Sequence, residues 1–175
     1  MIAMNKVAHW QDSMNVTVDI DTGQFSSGPQ PEQFTQWVTS TIERGTQAHS
    51  RLANPAVSIR LVDETESAAL NCQYRDRQGA TNVLSFPAHI PEPLQSLMDP
   101  VPLGDLAICA AVVEREATLQ KKPVMAHWAH MTIHGTLHLL GHDHQHDGEA
   151  EAMEQLEVTI LASLGFTDNP YEHSN

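Results

Sequence analysis

The sequence predicts an α+β domain over residues 1–175, a small mixed four-stranded sheet surrounded by about five helices. Three observations carry that reading. Short alternating or β-branched segments interleave with segments of helical period. Hydrophobic residues make up 41% of the chain and charged residues 18%, the balance of a chain that buries a core. No internal repeat or long linker interrupts it.

Taken in order, Val16 to Ile20 alternates apolar and polar residues and reads as a half-buried strand. Pro31 to Gln47 reads as a helix, with proline in its first turn and Phe34, Trp37, Val38 and Ile42 at spacings of three and four. Ala56 to Val62 is β-branched and apolar, a second strand. Thr65 to Tyr74 is a short helix with Ala68, Ala69 and Cys72 inward. Thr81 to Phe86 is a third strand, opened by a turn at Gly79 and stopped by Pro87. Pro87 to Pro102 holds five prolines and reads as a loop or lid.

Asp105 to Cys109 is a fourth strand that runs into a helix over Ala110 to Gln120. Pro123 opens the next helix, which keeps its pattern to Leu140 and stops at Gly141, a C-terminal residue expected at positive φ. Asp147 to Leu164 is the last helix, with Glu149 and Glu151 in its first turns and Gly165 ending it.

Cys72 and Cys109 lack a CxxC partner and read as reduced, mostly buried thiols. No apolar run reaches the length of a membrane span, and Met1 to Trp10 has no secretory pattern, so a cytoplasmic protein without a membrane partner is expected. The formal net charge of −13 argues against non-specific binding to nucleic acid. That charge is uneven: the eight acids from Asp143 onward, with no Lys or Arg among them, leave −5 for the first 142 residues. A local pair, Arg75 and Arg77, can therefore still form a positive floor to a cleft.

Seven of the eleven histidines lie between residues 127 and 146. On a helix His134 and His138 stand roughly 40° apart on one face, where two imidazoles can point at one tetrahedral ion. Gly141 then breaks the helix, and a tight turn can return His144 as a third ligand. Three protein ligands leave one position open for water, the mark of a catalytic zinc site. Imidazoles without thiolates suit zinc better than magnesium or calcium. His127, His130 and His146 read as packed or solvated side chains, the first two on the same stripe as the ligands. His142 reads as a cleft residue that can carry protons near neutral pH. Asp143 reads either as the acceptor for a ligand's second ring N–H or as a solvated turn residue.

The string from His134 to His144 has the spacing of the metzincin metal helix, but Gly135 stands where those peptidases carry the glutamate that deprotonates the zinc water. Peptide hydrolysis by that route is therefore not expected. A phosphodiester fits better, because a metal can still polarise its oxygens and a cation can offset the growing charge. Arg75 is the best candidate for that cation, with a donor fork matched to phosphate. Composition alone reads it as a surface arginine beside Asp76.

Four segments together resemble the YbeY family: Leu70 to Arg75, Thr81 to Pro87, Leu103 to Leu106 and His134 to His144. The likeness runs in order from about residue 55 to 171, through Ala126 to His130 and ending on Asp168 to Tyr171. These are bacterial metal-dependent endoribonucleases of ribosomal RNA maturation. The resemblance implies a cytoplasmic, single-strand-specific endoribonuclease holding one zinc ion on His134, His138 and His144, with Arg75 as the functional arginine. It implies maturation of the 3′ end of small-subunit ribosomal RNA and ribosome quality control. The partners implied are ribosomal RNA and the ribosome or its small-subunit proteins, with no DNA. At the position of His142 the family often carries tyrosine. Asn71, Ser85 and Asp105 are read as shaping the cleft, or equally as cap and turn residues. Two other classes are compatible with the residues: a different zinc hydrolase, or a non-catalytic ribosome-assembly factor with a structural ion, for which the acidic last helix would be a partner surface.

Overall fold

The computed structural model describes residues 15–25, 27–46, 54–142, 147–167 and 169–171. Four strands, β1 (Thr17–Asp21), β2 (Pro55–Val62), β3 (Val83–Pro87) and β4 (Val101–Cys109), form one sheet in the order β1-β2-β4-β3. β1 and β2 are parallel, as are β2 and β4, while β3 is an antiparallel edge. The helices are α1 (Pro31–Gly45), α2 (Glu64–Arg75), α3 (Glu92–Gln95), α4 (Ala110–Leu119), α5 (Val124–Leu139) and α6 (Asp147–Ser163). No helix among the described residues is long and apolar enough to cross a membrane.

One face of the sheet carries the core. Val57, Ile59 and Leu61 of β2, Leu106 and Ile108 of β4 and Val83 of β3 point to that face, where they meet Phe34, Trp37 and Ile42 of α1 and Trp128, Ile133 and Leu137 of α5. Phe34 packs edge-on against both Trp37 and Trp128, at ring-centroid distances of 5.6 and 5.9 Å. Val62, Leu84, Ala107 and Cys109 point the other way, toward Leu70 of α2. α2 and α5 therefore lie on opposite layers.

The mixed α+β class and the four strands agree with the sequence reading, and α3 is the additional helix. Three details differ. β4 begins at Val101 rather than Asp105, because Pro102 sits beside a register shift between Ala56 and Val57 of β2. Gly104 follows at φ 141°, where a Cβ would collide with the Phe86 carbonyl. In α2 the inward residues are Ser67 and Asn71, not Ala69 and Cys72. That inner face is polar because it holds the segment entering β3. Ser67 Oγ donates to Thr81 O and accepts from Thr81 N–H, while Asn71 Nδ2 donates to Gly79 O. Cys72 is consequently exposed, and only Cys109 is buried, its thiol pushed up by desolvation.

Candidate metal centre

Helix α5 is apolar on almost every side because it lies between α1, α4, α6 and the sheet. Its approach to the sheet is set by Gly135. A Cβ there would lie 2.9 Å from Leu106 Cδ2 and 3.1 Å from Val83 Cγ2, and Ser85 Oγ donates to the Gly135 carbonyl at 3.1 Å. The residue missing from the peptidase pattern thus has a packing reason: position 135 faces the sheet. Ser85 acts here as a tether between β3 and the helix.

Four histidines, His127, His130, His134 and His138, run along another stripe of α5 with successive rings edge to face. His127 and His130 are buried, as expected for packed histidines, and His134 and His138 are half-buried toward the C-terminal end. His134 Nε2 and His138 Nε2 stand 3.1 Å apart. Two bonds of about 2.0–2.1 Å to one tetrahedral zinc place their nitrogens about 3.3–3.4 Å apart, so this pair fits such an ion with little movement. His144, Asp143 and His146 lie outside the described residues, as does Asp168.

Behind the pair stands a carboxylate that the sequence reading counted only among the acids of the last helix. Glu157 of α6 is fully buried. Its Oε1 accepts from His134 Nδ1 at 2.7 Å, and its Oε2 accepts from His130 Nε2 at 3.1 Å and from the Tyr171 hydroxyl. Burial pushes this carboxyl up, but the hydrogen bonds and charges of His130 and His134 outweigh it and bring it down to about 2. Burial, followed by the Glu157 charge, pushes the Tyr171 phenol well above its usual range. An ionised carboxylate only accepts, so His134 Nδ1 donates in this hydrogen bond, and its Nε2 faces His138.

A signal for Glu157 was present in the sequence. Met153, Leu156, Ile160, Leu161 and Leu164 mark the inner stripe of α6, and Glu157 falls within it. A charged residue in an apolar stripe requires a buried partner. Glu149, Glu151 and Glu154 of α6 are exposed.

Arg75 is the last residue of α2, exposed, and neither ion pair nor hydrogen bond joins its side chain to another described residue. It stands on the opposite layer from α5, but both helices flank the edge strand β3: α5 through Ser85, α2 through the Tyr74–Phe86 ring contact at 5.0 Å. His142 lines a cavity of about 430 Å³ with Gly45, Glu92, Leu103 and Leu139, and its Nε2 donates to the Gly45 carbonyl at 2.8 Å, tying the ends of α1 and α5. Gly141 has φ 88°, the left-handed terminus the pattern requires. Asn71 holds the loop after α2, and Asp105 is exposed on the sheet face turned away from α5.

A family model described as Endoribonuclease YbeY matches residues 19–165. A Pseudomonas fluorescens protein of that name is 50% identical over 154 residues, 88% of this chain and 95% of its own. A Xylella fastidiosa protein of the same name is 50% identical over 143 residues, 82% of this chain and 84% of its own. The solution structure of TM1509 from Thermotoga maritima covers 91% of this chain and 97% of its own at TM-score 0.52 and 22% identity, a likeness of fold.

Proposed function

Since this chain belongs to the YbeY endoribonuclease family, we propose that it cuts single-stranded RNA internally, as a zinc-dependent hydrolase of phosphodiester bonds within one catalytic domain. The observation that carries the reading is the His134–His138 pair, two ring nitrogens 3.1 Å apart at the open end of a buried helix. His144, three residues beyond Gly141 in the sequence, is the third ligand in this reading. His134 and His138 would hold a zinc ion there, which would supply a water of lowered pKa and polarisation of a phosphate oxygen.

The remaining work falls to the chain's own side chains. Arg75, exposed and free of any acid partner among the described residues, offsets charge growing on the phosphate. His142 follows the C-terminal end of α5 and is our choice for proton transfer, alongside the 2′-hydroxyl of the RNA itself. A peptidase is disfavoured because position 135 is packed onto the sheet and carries no base. We further infer action in the cytoplasm on ribosomal RNA, at the 3′ end of the small-subunit RNA and in ribosome quality control. The exposed acids of α6 suit a basic small-subunit protein as partner.

The test is cleavage of a labelled single-stranded ribosomal RNA fragment by zinc-loaded protein, with His138→Ala purified identically and casein digested in parallel. RNA cutting that vanishes in the variant, with casein intact, is the expected result. Equal RNA loss in both samples would point to a contaminating nuclease and turn the weight to an assembly factor with a structural ion. Arg75→Ala is expected to slow cutting by about 10²-fold while leaving the melting temperature unchanged, because its side chain is exposed.

A further inference from the structure

We propose that Glu157 is a positioning residue for the metal centre, fixing His134 as the Nδ1–H tautomer so that its Nε2 lone pair is aimed before an ion arrives. The proposal rests on the zinc-dependent reading above and extends it to a residue outside the ligand set.

The geometry separates two tasks of this carboxylate. Oε2, with His130 Nε2 and the Tyr171 hydroxyl, ties α6 and Tyr171 to α5 in a largely buried cluster. That tie would serve packing by itself. Oε1 is committed elsewhere, to His134 Nδ1 at 2.7 Å, the shorter of the two bonds to imidazole. His134 has 28% of its side chain exposed, against 10% for His130, so water could have satisfied its ring. A buried carboxylate is costly unless its lone pairs are filled by donors, and an apolar residue would complete the α6 stripe more simply. What the carboxylate adds is direction. It holds one ring nitrogen as a donor, which leaves the opposite nitrogen as an acceptor, and that nitrogen is the one facing His138 Nε2 at 3.1 Å. Hydrogen bonding to an anion also raises the basicity of the opposite ring nitrogen.

Two measurements test this. The first is zinc affinity, by competition with a chromophoric chelator, for the wild-type chain, Glu157→Gln and Tyr171→Phe. Glu157→Gln keeps the shape and removes the charge, and is expected to weaken zinc by about 10–100-fold. Tyr171→Phe removes a donor to Oε2 only and is expected to leave zinc affinity near wild type while lowering the melting temperature. The second needs no variant: ¹⁵N NMR of the histidine rings in the metal-free wild-type chain at about pH 8, where imidazoles are neutral. His134 is expected to carry its proton on Nδ1. Equal zinc affinity in wild type and Glu157→Gln, or a proton on Nε2 of His134, overturns the proposal and leaves the zinc-dependent reading in place. Failure of the wild-type chain to bind zinc overturns both. Should Glu157→Gln fail to fold, the tautomer decides.

Discussion

Glu116 and Glu157 approach α5 from opposite neighbours, α4 and α6, and each accepts a short hydrogen bond from an imidazole. Glu116 takes His127 Nε2 at 2.8 Å and is braced by Asn82 Nδ2 on both oxygens. Glu157 takes His134 and His130 and is sealed from solvent, whereas Glu116 keeps 29% of its side chain exposed. The chemistry of the two contacts is the same. What differs is the far nitrogen of each ring. In His127 it is buried with no hydrogen-bond partner among the described residues. In His134 it emerges beside a second imidazole. The same carboxylate–histidine contact thus ends on a packed ring nitrogen in one case and beside a second imidazole in the other.

The sharpest way to break this comparison is to remove one ring from each end of the row. His138→Ala is expected to abolish zinc retention, read as metal content after dialysis, while His127→Ala retains zinc and loses only stability. Loss of zinc in both would make the row one unit and erase the distinction. A smaller effect is expected from the seat of the helix. Gly135→Ala presses a methyl against Leu106 and Val83 and should cost about 1–3 kcal/mol in urea unfolding, since both side chains are themselves buried and must shift.

The smallest effect belongs to Glu116. Burial raises its carboxyl, the bonds from His127 and Asn82 more than compensate, and the folded value lies below the ordinary 4.5. A carboxyl depressed on folding stabilises the native state above its unfolded pKa and loses that contribution as pH falls toward the folded value. Glu116→Gln should therefore cost about 1 kcal/mol at neutral pH. The gap in melting temperature to wild type should narrow as the pH falls below 4.5, the ordinary carboxyl value. A gap independent of pH would show that Glu116 acts through shape alone.

Much of this molecule was legible in its sequence because local periodicity and long-range packing agree. The strands around Ile59 and Leu106, the helix ending at Gly141 and the stacked pair His134 and His138 all follow from spacing. The misreadings share one cause. Ser67, Asn71 and Glu157 are polar residues on inward faces, and an apolar count assigns such faces to their neighbours. Their partners, Thr81, Gly79 and His134, lie 14, 8 and 23 residues away, beyond any helical period.

Gly135 has a consequence for how this enzyme class relates to its peptidase look-alikes. The two share a histidine spacing and differ in that pattern at the residue after the first histidine, Gly135 here. A change at that residue is closed off by the seating of the helix. A glutamate at 135 would thrust an anion into the apolar seam formed by Leu106 and Val83, and the helix would have to lift before the new carboxylate met any substrate. Exchange between the two chemistries would have to begin in the sheet, with smaller side chains opening a channel, and reach the helix last.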